Sequence, residues 1–85
     1  YNSHFDRDLD SLDSFWQKAV LRAIEEKLVF NPAVFGVPLR ETLKGFRKLR
    51  IGDYRLVYRV RGNVVEILIV EHRSVVYWEA IKRLS

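Results

Sequence analysis

The stretch from Gly45 to Arg59, GFRKLRIGDYRLVYR, alternates cationic and apolar residues on either side of a Gly52-Asp53 pair. Alternate side chains of an extended strand point to opposite faces. A Gly-Asp pair between two such runs is a two-residue hairpin signal. The run therefore predicts a β-hairpin with one apolar face and one cationic face. In the first strand, residues 46–51, Phe46, Lys48 and Arg50 share a face, and Arg47, Leu49 and Ile51 share the other. In the second, residues 54–61, Arg55, Val57, Arg59 and Arg61 oppose Tyr54, Leu56, Tyr58 and Val60. The apolar sets are expected to meet the rest of the core. That leaves Lys48, Arg50, Arg55 and Arg59 together on an open face. Like charges at cross-strand spacing repel, and an anion among them reverses the sign of that term.

The rest of the chain completes a small α+β domain. Phe5, Leu9 and Leu12 form one buried stripe of a first helix, capped by Asn2 or Ser3 and with Asp6, Asp8 and Asp10 turned mostly outward. Asp13 or Ser14 opens a second helix, whose inward positions are Phe15 or Trp16, Ala19/Val20, Ala23/Ile24 and Lys27/Leu28. Asn31-Pro32 ends it, because proline lacks the amide that would continue the helix. The short link between the two helices predicts an αα-hairpin. Residues 31–45 hold both prolines and read as a connecting loop. A third strand, residues 64–72, follows a Gly62-Asn63 turn. Its nearly continuous apolar core predicts a central strand covered on both faces. Ser74 is placed to cap a last helix over about residues 75–83. The expected fold is a single domain over residues 1–85. An N-terminal αα-hairpin packs on one face of a small antiparallel sheet, with a short C-terminal helix and the second sheet face free for function.

Composition narrows the class. Eighty-five residues permit one small core, and eleven aromatic residues help to fill it. No cysteine is present, which removes disulfides and cysteine-based metal sites and fits a reducing, cytoplasmic location. No apolar run is long enough to span a membrane, and no signal-peptide pattern is present. The net charge of +4 is unevenly placed: residues 1–39 carry −2 and residues 40–85 carry +6. Such asymmetry concerns partners, and points to a polyanion or an acidic protein.

A second group of functional residue types follows the third strand: Glu71, His72, Arg73, Ser74, Val75, Val76, Tyr77 and Trp78. A histidine, a fixed cation and a phenol are the parts needed for proton transfer at a phosphodiester. Trp78 is expected in the core, His4 on the surface. Tyr77 fits either helix-to-sheet packing or the cationic face.

The order of elements, the run LRIGDYRLVYRV (residues 49–60) and the His72-Arg73…Val76-Tyr77 ending resemble the RelE/ParE superfamily of toxin–antitoxin toxins over essentially the whole chain. The resemblance implies a further strand ahead of Tyr1, a sheet of four or more strands, and a cognate antitoxin whose acidic or amphipathic segment wraps the toxin. In the RelE branch it implies a metal-independent endoribonuclease that cleaves mRNA in the ribosomal A site and needs no cofactor. Lys48 and Arg50 fall at basic first-strand positions of that branch, Arg55 at its arginine, and Tyr77 at its C-terminal tyrosine. Arg73 matches a basic position before that tyrosine, and His72 is a candidate acid. Glu71 departs from the pattern, standing where some members carry arginine. Electrostatic stabilisation is at least as good a role for Lys48 as that of general base, because an ammonium must first lose its proton to act as one. The alternatives are a ParE-like toxin that inhibits DNA gyrase and a non-catalytic antitoxin-binding relative. Tyr77 favours the RelE branch.

Overall fold

The structure, a computed structural model, describes residues 3–84. Helix α1 spans Ser3–Asp10 and helix α2 spans Ser14–Ala23, extended by a wider π-helical turn over Ile24–Leu28. Strands β1 (Val37–Pro38), β2 (Arg47–Ile51), β3 (Tyr54–Arg61) and β4 (Val64–His72) form one antiparallel sheet in that order, and helix α3 covers Val76–Leu84. The α+β class, the αα-hairpin, the antiparallel meander and the C-terminal helix are as the sequence predicts. Asn2, one of the two expected caps of α1, and any strand ahead of Tyr1 lie outside the described residues. The other, Ser3, is the first residue of α1 itself.

Local chemistry sets most boundaries. Asp13 has extended backbone and accepts the Trp16 amide at 3.1 Å, which satisfies one free donor of α2. Gly52 and Gly62 have φ of 60° and 57°, while no following turn residue shares a positive φ. A glycine first and a negative φ second match a type II′ hairpin turn. At Gly52 a side chain would also collide with the Trp16 ring. The expected loop over residues 31–45 is more ordered than its composition implies. It contributes β1, whose Val37 pairs with Lys48, and a 3₁₀ turn over Glu41–Leu43. The backbone amides of this segment need partners, and the exposed edge of β2 supplies them.

Two clusters flank the sheet. On one side, Leu49, Ile51, Leu56, Tyr58, Ile67 and Val70 pack against Phe5, Leu12, Val20, Ala23, Ile24 and Leu28. This is the apolar face expected from the hairpin alternation. On the other, Val57 and Ile69 pack with Leu43, Phe46, Val76 and Ala80. The second face is therefore not free: α3 and the Glu41–Leu43 turn cover part of it. The ladder between β3 and β4 slips between Val57 and Tyr58, which pair with Ile69 and Ile67 and leave Leu68 as the extra residue. Such a bulge places two successive residues on one face. Leu68 and Ile69 accordingly share the α3 side while Ile67 and Val70 face α1 and α2.

Strand β4 is an edge among the described strands, not the central strand its composition predicts. Its apolar run is buried because helices cover both faces. Two of its outer backbone groups are satisfied by an ion pair between buried Asp8 and partly buried Arg83. Arg83 of α3 forms a fork on Asp8 of α1, with Nη2–Oδ1 at 2.5 Å and Nη1–Oδ2 at 2.7 Å. The same Arg83 Nη1 donates to the Leu68 carbonyl at 2.9 Å, and Asp8 Oδ2 accepts the Val70 amide at 3.1 Å. Asp8 is thus 6% exposed, against the outward position its spacing implies. The carboxylate holds the Arg83 guanidinium pKa above its ordinary value, against the opposing effect of burial.

Tyr58 is a second buried tie. Its hydroxyl lies at the carbonyl oxygens of Pro32, 2.8 Å away, and Phe35, while Arg47 Nη2 donates to the Gly36 carbonyl at 2.9 Å. Together they fasten the loop after α2 to the sheet. Burial raises the phenol pKa, with Arg47 pulling it the other way.

Asp8→Ala leaves a partly buried guanidinium unpaired, a change that costs about 3 kcal/mol. It should lower the Tm clearly, while adding Arg83→Met should recover part of the loss in a double-mutant cycle. The raised Tyr58 pKa means that the folded chain holds its proton more tightly than the unfolded one. Its contribution is complete below pH 10, the ordinary phenol value, and declines as pH rises beyond it. The stability gap between wild type and Tyr58→Phe, followed by urea melts, should therefore narrow above pH 10.

Candidate functional site

The hairpin turn places the ends of three strands together. Tyr54 is in register with His72, Arg55 with both Arg50 and Glu71, and Lys48 with Val57. Beyond the ladder, the Arg73 amide donates to the Asp53 carbonyl at 2.8 Å, so the turn after β4 lies against the Gly52-Asp53 turn. The chain then enters α3, whose first turn carries Tyr77. Lys48, Arg55, His72, Arg73, Ser74 and Tyr77 converge around one open cavity of about 430 Å³.

Each side chain is held differently. Lys48 Nζ lies 5.6 Å from the centre of the Tyr77 ring, within the range of a cation–π contact. Arg55 Nη1 donates to the carbonyls of Gly52 (2.8 Å) and Tyr54 (2.9 Å), which leaves Nε and Nη2 to bind an anion. His72 packs edge-on to Tyr54, with ring centres 5.6 Å apart. Its Nδ1 receives the Ser74 amide at 3.2 Å and lies 2.8 Å from the Ser74 hydroxyl. A backbone N–H only donates, so Nδ1 is the acceptor and the proton of the neutral ring sits on Nε2. Arg73 Nε is 4.0 Å from Asp53 Oδ1, both largely exposed, a pair that contributes little and yields readily to a better anion.

Of the residues singled out in the sequence, Lys48, Arg55, His72, Arg73 and Tyr77 line this cavity. Arg50 does not, although its pairing puts it beside Arg55 on the same sheet face. Arg59 is drawn elsewhere: Nε bonds Glu66 Oε1 at 2.8 Å and the guanidinium lies 5.1 Å from the centre of the Phe46 ring. The cause is the Arg59–Glu66 register across β3 and β4. Glu71 stands in register with Arg55 and turns Oε1 to the His72 amide at 3.2 Å, so its carboxylate lowers the positive charge beside the cavity.

Ser74 bonds His72 rather than capping α3, and its place in the site was not read from the sequence. A serine two residues after a strand-end histidine is the signal that identifies it. Trp78 is 69% exposed, not core. Val76 and Ala80, one turn apart, define the buried side of α3 and turn Trp78 away. Trp16 fills the packing role instead, 4.9 Å from Tyr54 between ring centres. A larger cavity, about 580 Å³, is lined by Ile24, Leu28, Val60, Val65 and their neighbours and contains no ionisable side chain. It offers no acid, base or fixed charge.

A sequence profile described as the ParE toxin of type II toxin–antitoxin systems, parDE, matches residues 1–77. The chain belongs to this toxin family, within the RelE/ParE superfamily. It is 37% identical over 73 residues to Toxin RelE of Mycobacterium tuberculosis (strain ATCC 25618 / H37Rv), covering 84% of this chain and 75% of that one. It is 38% identical over 73 residues to Toxin RelG of the same strain, covering 84% of each. Its fold is similar to a chain in the crystal structure of the RelBE2 toxin–antitoxin complex from Mycobacterium tuberculosis. The TM-score is 0.78 at 36% identity, with 86% of both chains covered. The chain is a RelE-like toxin of the type II class.

The tautomer of His72 is directly measurable. Nitrogen-15 NMR of the neutral imidazole should show the Nε2–H form, and a dominant Nδ1–H form would contradict the Ser74 geometry.

Proposed function

We propose that this toxin is a metal-independent endoribonuclease that cleaves mRNA at the ribosomal A site and so inhibits translation. The observation that carries the reading is the meeting of Lys48, Arg55, His72, Arg73 and Tyr77 around one open cavity. Two arginines and a lysine fit a phosphate. Nothing comparable is needed to poison a protein by surface contact alone. The relatives named RelE and RelG support the same branch.

In this reading the 2′-hydroxyl oxygen of a ribose attacks the adjacent phosphorus and loses its proton. The bond to the 5′ oxygen breaks, and that oxygen gains a proton. The products are a 2′,3′-cyclic phosphate and a 5′-hydroxyl end. Charge grows on the non-bridging oxygens, where Arg55 and Arg73 supply forked donors suited to phosphate. The fixing of Arg55 by two turn carbonyls limits the reorganisation needed at the moment of reaction. The contact with Tyr77 favours Lys48 as a fixed charge rather than the base. Tyr77 orients the 2′-hydroxyl or the nucleotide, and the Nε2–H of His72 donates to the phosphate or to the leaving oxygen. Arg50, beside Arg55, strengthens the field without lining the cavity.

The partner in this reading is a cognate antitoxin, since the similar fold was solved within a toxin–antitoxin complex. The +6 balance of residues 40–85 favours an acidic segment of that partner and speeds their encounter. No group of three His, Asp or Glu side chains able to hold a metal is found among the described residues. No described helix is long and apolar enough to cross a membrane.

The profile match to a family described by parDE keeps one rival in view, a toxin directed at DNA gyrase. Primer extension on ribosome-bound mRNA after brief induction separates the two. Wild type should give new 5′ ends. Arg55→Ala should reduce them about 100- to 1,000-fold by analogy with loss of an oxyanion donor, and Tyr77→Phe should reduce them while preserving the thermal melt. Gyrase-dependent DNA breaks with intact mRNA would establish the rival. Unaltered cleavage in both variants would remove these residues from the chemistry. Absence of growth arrest would leave only antitoxin binding.

A further inference from the structure

The two tryptophans of this chain are used in opposite ways. Trp16 lies over Gly52 and Tyr54, inside the contact between α2 and the hairpin. Trp78 is 69% exposed, and its indole makes no ring contact or side-chain hydrogen bond among the described residues. An exposed indole forgoes burial worth about 25 cal/mol per Å² and is a sticking hazard, so its neighbours matter.

Its position on α3 follows from helix geometry. Val76 and Ala80 are fully buried against the sheet. Tyr77 stands on the flank of the helix that meets the cavity. Trp78 is the next residue, turned a further 100° out from that flank, with its Cα about 3.8 Å from that of Tyr77. Ile81, 37% exposed, lies on the side between Tyr77 and Trp78, Leu84, 43% exposed, lies two turns beyond Tyr77, and exposed Lys82 follows Trp78 by one turn. Two successive aromatic residues, cavity-lining Tyr77 and exposed Trp78, thus lead outward from a cavity that carries Lys48, Arg55 and Arg73.

Fixed cations for phosphates beside flat aromatic faces for bases are the two elements of single-strand recognition. We infer that Trp78 is a stacking platform for the base of a nucleotide flanking the phosphate held by Lys48, Arg55 and Arg73. This rests on the ribonuclease reading of that cavity and adds to it a second subsite. The cations of the adjoining cavity select the occupant: they suit a nucleic acid strand that continues past Tyr77, and Lys82, paired at 3.6 Å with Glu79 in an exposed and weak contact, can exchange that partner for a phosphate. Stacking reads the flat face of any base, so the subsite contributes affinity and placement of the strand more than choice of sequence.

The test uses short single-stranded oligonucleotides with 2′-O-methyl riboses, which lack the attacking hydroxyl, and abasic counterparts with the same phosphates. Kd is read by fluorescence anisotropy on the whole chain. Trp78→Ala should weaken binding of the base-bearing strand by about 5- to 150-fold, and Trp78→Phe should retain most of it. Neither should change binding of the abasic strand. Because the side chain is exposed, the melts of both variants should match wild type. Equal affinity of Trp78→Ala and wild type for the base-bearing strand would overturn the inference and leave the ribonuclease reading standing. So would an equal loss on the abasic strand. If Trp78→Ala releases a co-expressed antitoxin yet binds oligonucleotide normally, the face belongs to that protein and the inference fails. If wild type binds neither strand, the subsite inference fails, and the ribonuclease reading is decided separately by the primer extension on ribosome-bound mRNA.

Discussion

The fork between Asp8 and Arg83 joins the three layers of this domain. Asp8 belongs to the helical hairpin on one side of the sheet, Arg83 to the helix on the other, and both bond the outer backbone of β4. A buried charge pair is weak support for stability by itself, because desolvation offsets much of the attraction. Here the pair also satisfies a sheet edge and fixes the far end of α3. The near end of that helix carries Tyr77. The placement of an aromatic ring beside Lys48 is thereby tied to a contact at the opposite end of the helix.

The sheet divides labour between its faces along the same strands. Leu49, Ile51, Leu56 and Tyr58 are committed to the helical hairpin. Lys48 and Arg55, their sequence neighbours, are consequently displayed on the other face. The core and the cationic cavity are two consequences of one register. A one-residue slip would exchange them, which makes the Gly52-Asp53 turn a functional element as much as a structural one. Trp16 reinforces the turn by closing over Gly52.

Regulation of such a surface follows from its electrostatics. Arg73 is shared with Asp53 in an exposed, weak pair, while Glu71 sits beside Arg55. These carboxylates temper the repulsion among the cations without filling the cavity. A phosphate or an acidic protein segment offers the same cations a stronger partner. In the proposed reading, an RNA phosphate and an acidic antitoxin segment compete for this one charged region.

Much of this was legible from the order of residues. Short-range rules gave the strand limits, the Asp13 cap, the turn glycines and the sorting of Lys48 and Arg55 from Leu49 and Leu56. They depend on neighbours two to four positions away, which a sequence displays. The family resemblance joined Tyr77 and Arg73 to that group before any geometry was known. The remaining features depended on contacts between distant segments. Asp8 is buried because Arg83, far along the chain, reaches it. Arg59 leaves the cationic face because β4 brings Glu66 opposite it. Trp78 is exposed because Val76 and Ala80 take the helix face that meets the sheet, and periodicity alone does not say which of two apolar sides will win. The sequence by itself determined the alternation and its turn. Only the tertiary structure decided which charges were neutralised and which remained around the cavity, because neutralisation is a property of what lies opposite.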